Sequence, residues 1–275
     1  MIEVLSLGAG VQSSAVLLMS IHGELPKLDH AIFADTGWEP IAVYRHLEWL
    51  QGKAEEAGIA LHVVRQGNIK QDALGNQVRG TKINGTRWAS LPYFTKDRET
   101  GKHGMIRRQC TYEYKIRPIE KCLRRDILGL LPRQHAPKEP VIRNWRGISS
   151  DEWQRVRASD HKWMTTWHPL VERRITRNGC HGWMEQNGYA QAPRSACIGC
   201  PFHQDDEWRH LRDNFPVEWD DAVAFDKAIR NCGGMRGDVF LHSARVPLDE
   251  VDLSTDVDRG QLLLWQDECS GMCGV

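Results

Sequence analysis

Residues 2–14 read IEVLSLGAGVQSS, and the fold turns on how this stretch is read. The apolar run 2–7 has the length and composition of a buried strand. Small residues follow at once, and a helical pattern from Ser13 through Val16, Leu17 and Met19 stops at Gly23. A strand that feeds a helix through a glycine-rich turn leaves backbone N–H groups, and the positive end of the helix, free to meet an anion. Gly8, Gly10 and Gln12 form the turn, and Ser6, Ser13 and Ser14 add hydroxyls. No lysine follows the glycines, which argues against a Walker-type triphosphatase, and the spacing misses the dinucleotide fingerprint. Taken alone, the stretch reads either as a phosphate cradle or as a plain tight turn.

Working outward, HAIFAD at 30–35 is a second strand. Pro40 opens a helix whose apolar face is Val43, Leu47, Leu50 and Ala54, with Gly58 as its stop. LHVV at 61–64 is a third strand. This β-α-β-α-β order predicts an α/β fold with a Rossmann-like parallel sheet and right-handed crossovers. Ligands of such sheets bind beyond the carboxyl ends of the strands, so the turn at 8–13 should meet Asp35, Thr36 and Gly37 at one site. There a carboxylate of Asp35 or Glu39 suits a ribose, an adenine amine or Mg²⁺. Residues 66–105 read as a long functional loop with little regular structure, and 130–140 as a surface linker. From Trp145 onward the chain is rich in tryptophan and breaks into short helical pieces, at about 176–187, after Pro201 and at about 216–230. The expected division is an α/β core over 1–145 and a mostly helical, cysteine-bearing region over 146–275.

The 275 residues hold 36 basic and 36 acidic side chains, so no global charge points to nucleic acid or membrane. Arg107, Arg108, Lys115, Arg117, Lys121, Arg124 and Arg125 crowd locally, as a solvated helix face or a polyanion-binding patch. Arg79, Lys82 and Arg87 in the long loop join Arg107 and Lys115 as candidates to surround phosphates. Trp88, Tyr93 and Phe94 interleave with these charges as a nucleobase-stacking surface would, or Trp88 and Phe94 anchor the loop on the core, which is the favoured reading. No export signal and no bilayer-length apolar run is visible, so a cytoplasmic setting without membrane contact is expected.

Eight cysteines in that setting read as thiols, metal ligands or redox centres rather than disulfides. CIGC at 197–200 is compatible with a redox dithiol, half a zinc site or half an iron–sulfur site, although it lies outside the context of a thioredoxin motif. Cys110 and Cys180 are candidate partners, with His181 and His203 nearby in sequence. Cys180 falls near a helix start, where a thiolate is electrostatically favoured. Cys122 and Cys232 read as core thiols, and the tail ECSGMCGV carries Cys269 and Cys273.

A strand, a Ser/Gly turn and a helix, followed by a strand that ends in ADTG, resembles the PP-loop ATP pyrophosphatases and phosphoadenylyl-sulfate (PAPS) reductases of the adenine nucleotide alpha hydrolase superfamily. Against their loop SGGKDS, Gly10 and Ser13 keep their places, while Gly8, Ala9, Val11 and Gln12 replace Ser, Gly, Lys and Asp. GISSDEWQRVR at 147–157 is similar to their GxRxxxSxxR-type segment. RQCTYEYKIRPI at 108–119 resembles CCxxRKVxPL, with Cys110 on the second cysteine and Lys115 on the lysine position. The resemblance is nearest to the ATP pyrophosphatases of DNA phosphorothioation.

It implies an enzyme that uses ATP and Mg²⁺ to adenylate an acceptor for sulfur transfer, with a nucleic-acid acceptor, DNA-modification proteins and a cysteine desulfurase as partners. Ser6, Gly8, Gly10, Gln12, Ser13, Ser14, Asp35, Thr36, Gly37 and Arg107 would bind the nucleotide. Lys115, Cys269 and Cys273 would be catalytic. Cys110, Cys180, Cys197 and Cys200 would hold a [4Fe–4S] cluster, which the resemblance favours over zinc. The alternatives are a reductase of adenylyl sulfate (APS) or PAPS, with Cys269 as nucleophile, and a non-catalytic nucleotide- or redox-sensing subunit.

Overall fold

The computed structural model describes residues 1–77, 91–231, 237–254 and 258. Five strands form one parallel sheet in the order β3-β2-β1-β6-β7: β1 Ile2–Leu7, β2 His30–Asp35, β3 Ala60–Arg65, β6 Ile142–Arg146 and β7 Met164–Trp167. A Rossmann-like α/β fold is therefore what the chain adopts. The boundary drawn at 145/146 cuts across this sheet, because β7 comes from the region assigned to the helical part.

Alternation along the strands builds two cores. Leu5, Leu7, Ala31 and Phe33 face α1 (Val11–Ile21), α2 (Ile41–Glu56) and α6 (Arg177–Gln186), while Val4, Ile32 and Ala34 face the other side. That second side is covered by α4 (Arg117–Cys122), which π-helical turns extend at Thr111–Ile116 and Leu123–Ile127. Cys122 packs there as the expected core thiol, pushed up to about 12 first by burial.

A third core joins α7 (Asp205–Asn214) and α8 (Pro216–Ile229) to a small antiparallel sheet of β4 (Phe94–Asp97), β5 (His103–Met105) and β8 (Gly237–Phe240). Trp38, from the turn after β2, fills this core against Phe225 and joins it to the main sheet. The region expected to be a loop thus carries α3 (Ile69–Gln77), β4 and β5; Arg79, Lys82, Arg87 and Trp88 lie outside the described residues. Of the two expected anchors, Phe94 is half-buried in β4, and its neighbour Tyr93 is the side chain that is buried in this core. Residues 130–140 hold bends and turns, as a linker should, and no described helix is long and apolar enough to cross a membrane.

Trp145 is fully buried in the middle of the sheet, crosses Trp167 edge to face at 4.5 Å and donates its indole N–H to Glu3 at 2.6 Å. Trp145→Ala should therefore cost about 3–5 kcal/mol in denaturant unfolding. Trp153, which is exposed, serves as the control: Trp153→Ala should stay within about 0.5 kcal/mol.

Candidate functional site

The strand order reverses between β1 and β6, so the turns that follow these strands run apart and open a crevice at their carboxyl ends. Register places Ser6 beside Arg146 at that edge. After β1 the chain passes through Ala9 in the left-handed region (φ 55°) and enters α1 at Gly10, which has no side-chain cap. The first N–H groups of α1 are thereby left to a ligand. Ser13 shapes the turn: its hydroxyl donates to the Gly10 carbonyl (3.2 Å) and accepts from the Gly8 N–H (3.1 Å). The segment after β6 presses on the same turn, for a Cβ on Gly147 would lie 2.8 Å from the backbone N and Cα of Ser13. Here only a glycine fits.

That close approach brings the 3₁₀ turn Ser150–Arg155 to Gln12. The Gln12 amide nitrogen donates to Ser149 Oγ (3.0 Å) and Glu152 Oε2 (2.8 Å), and Arg155 pairs with the same carboxylate oxygen (2.7 Å). One pocket is lined by Ser6, Gly8, Gly10, Gln12 and Ser13 together with five cationic side chains: Lys115, Arg146, Arg155, Arg177 and Arg194. Arg194 is paired with Glu207, and Arg155 with Glu152. Arg146 keeps a buried Nε without a partner. Arg146, Arg177 and Arg194 were not among the expected ligands. The position of Arg146, just before GISSDEWQRVR at a strand end, was the available signal for it.

Several expected ligands have other work. Ser14 is buried and bonds through Oγ to His46 Nε2 (2.9 Å) between α1 and α2, so it faces the core rather than the cradle. The hydroxyl of Ser6 donates to Asn144 Oδ1 (2.9 Å), although the residue still lines the pocket. Asp35 is buried, and its carboxylate is saturated by the Gly37 N–H (2.7 Å), the Tyr44 hydroxyl (2.9 Å) and the Arg65 Nε (3.0 Å). It fixes the β2 turn instead of offering a free oxygen to nucleoside or metal. Gly37 takes φ 77° there, and Asn68 caps its carbonyl at 2.8 Å. Arg107 is exposed and lines neither this pocket nor its neighbour.

The neighbouring pocket gathers Cys110, Cys197 and Cys200 with Thr36, Lys115 and Arg108. Thr36 Oγ1 donates to Glu39 Oε1 (2.8 Å) and lies 3.3 Å from Cys197 Sγ, which itself is 3.6 Å from Glu39 Oε1. Gly199 lets the CIGC turn lie flat on Trp38, since a Cβ would stand 2.1 Å from the indole. Burial pushes the Cys197 thiol well up, with Glu39 adding to the rise and Lys115 opposing it. Lys115 stays charged: burial pulls it down, but Glu39 and the three thiols raise it above the ordinary lysine value.

Cys180 does not join this group. It lies in the α1–α2–α6 core, where burial pushes its thiol up to about 12, so desolvation overrides the favourable helix end expected for a thiolate. Thr176 does cap α6, accepting from the Gly179 N–H at 3.0 Å. Among the described residues no group of three or more His, Cys, Asp or Glu is placed to hold a metal ion. Three of the four expected cluster ligands share a pocket, and the described residues do not close a ligand set around it. Cys232, Cys269 and Cys273 lie outside the described residues.

No family model and no curated protein matches the chain. A solved structure of phosphoadenylyl-sulfate (PAPS) reductase from Candida auris, a phosphate complex, is similar to it at TM-score 0.41 and 12% identity, over 69% of this chain and 74% of that one. The fold assignment rests on the sheet order itself.

Two histidines near the site are held neutral by burial: His46 and His203 are both pushed down to about 4. Unfolded, each titrates near about 6.5, so the unfolded chain binds more protons between the two values. Stability is therefore full above that window and is lost as pH falls through it. Urea unfolding should show a falling midpoint from about pH 7 to about pH 5, with a shallower fall in His46→Asn.

Proposed function

We propose that the chain is a nucleotide-dependent enzyme of sulfur chemistry: an ATP pyrophosphatase that adenylates an acceptor, releases pyrophosphate and lets sulfur displace AMP. The observation that carries this reading is the position of Lys115, whose side chain lines both the phosphate cradle and the thiol pocket. An activated phosphate ester and a sulfur atom held in these two pockets would meet at one half-buried cation. The first-turn amides of α1 and Arg146 would hold the phosphates, and Lys115 would stabilise the charge that develops on the leaving group. Cys110, Cys197 and Cys200 would handle sulfur supplied by a cysteine desulfurase or another donor, with Cys269 and Cys273 as carriers. The proposed acceptor is a nucleic acid, as in DNA phosphorothioate modification.

One observation favours a second reading, the reduction of APS or PAPS to sulfite. Among the described residues Glu152 is the only carboxylate that lines the cradle, and Arg155 already pairs with it. Adenylation by ATP ordinarily places a metal-holding carboxylate at this point.

Two assays separate the readings. AMP and pyrophosphate released in equal amounts from ATP and acceptor, assayed with and without Mg²⁺, support the first; sulfite formed from APS or PAPS with a thiol reductant supports the second. Nucleotide binding without either turnover would leave a sensing subunit. Lys115→Met should lower whichever activity is found by about a hundredfold or more, the scale of a lost electrostatic contact to developing charge. The iron–sulfur expectation is tested by colour: anaerobically isolated protein should be brown and Cys197→Ser bleached. A Cys197→Ser protein with full iron would remove Cys197 from the ligand set.

A further inference from the structure

The resemblance implies Mg²⁺ beside the phosphates, and the donor set of the cradle does not fit it. Mg²⁺ is ordinarily held by one or two carboxylates together with substrate phosphates. Gln12 stands where the PP-loop has its aspartate, and its amide is locked. A carboxylate only accepts, so the nitrogen must face Glu152 (2.8 Å), and its other hydrogen goes to Ser149 (3.0 Å). Glu152 in turn is neutralised by Arg155 at 2.7 Å. Of the other two expected carboxylates, Asp35 is saturated by Gly37, Tyr44 and Arg65, and Glu39, whose Oε2 is buried without a partner, lines neither the cradle nor the thiol pocket.

Positive charge, by contrast, is in excess. Lys115, Arg146 and Arg177 line the pocket, and their side chains make no hydrogen bond or ion pair among the described residues. Half-buried cations without a hydrogen-bonded counter-ion are costly, although Glu39 attracts Lys115 from the thiol side without pairing with it, and Glu120 and Asp160 attract Arg146 from a distance. Guanidinium forks match phosphate oxygens, so this arrangement calls for a polyanion.

We infer that the cradle takes its phosphate ligand as the free polyanion, with Lys115, Arg146 and Arg177 supplying the charge that a divalent cation would otherwise bring. For a nucleotide this rests on the reading above; for the anion site itself it does not. Mg²⁺ should then compete for the ligand rather than assist it.

The test is calorimetric titration of the full chain with inorganic pyrophosphate and with ATP, each in EDTA and in excess Mg²⁺. Both ligands should bind in EDTA and bind several-fold more weakly with Mg²⁺. Arg146→Met and Arg177→Met should each weaken binding by about tenfold or more, the worth of a charge-assisted hydrogen bond. Arg177 stands on the pocket wall at the start of α6, so its variant guards against misfolding of the Arg146 variant. Binding that requires Mg²⁺, or that survives both substitutions unchanged, overturns the inference. Pyrophosphate bound without ATP overturns the nucleotide reading and upholds the anion site. No binding of either ligand in either condition overturns both.

Discussion

The close approach of Gly147 to the backbone of Ser13 is the contact on which the site depends. It is possible because β1 and β6 are neighbours in the sheet while their following turns diverge, and because position 147 has no side chain to hold the turns apart. Through it, Glu152 and Ser149 reach Gln12, and the first turn of α1 gains a second wall, next to the Arg146 that strand register sets beside Ser6. Without that contact the glycine-rich turn would be a plain strand–helix connection.

The same geometry sorts the charges. Glu39 attracts Lys115 from the thiol side; the two carboxylates toward the cradle have protein partners, Asp35 through Arg65 and Tyr44 and Glu152 through Arg155 and Gln12. Three cations do not. In a low-dielectric crevice this imbalance specifies the ligand's sign more firmly than any single hydrogen bond, because an uncompensated buried charge costs more than a neutral contact returns. Lys115 extends the field to Cys110, Cys197 and Cys200, so that one ammonium group faces both pockets.

Much of the fold was legible because periodicity carries it. The run 2–7, HAIFAD and the Val43–Leu47–Leu50–Ala54 stripe each declare a face, and their order implies the parallel sheet. The helix Ile69–Gln77 was not legible, since IKQDALGNQ has almost no apolar stripe and gains its place by packing on α8. At the site, residue type gave the chemistry but not the direction. Ser13 and Ser14 are adjacent on a helix and so point to different sides, one to the turn and one to His46. Cys180 has the right element for a ligand and the wrong core. Arg177 and Arg194 belong to no motif in the sequence; only the long-range fold puts them on the cradle wall.

The central claim is that a phosphate ligand binds at the β1–β6 switch point. Amide hydrogen exchange with and without saturating adenine nucleotide tests it most directly. Residues 8–13 and 146–152 should become protected together, because the ligand bridges the two turns that Gly147 brings into contact. Protection confined to other segments, with these two unchanged, would contradict the account.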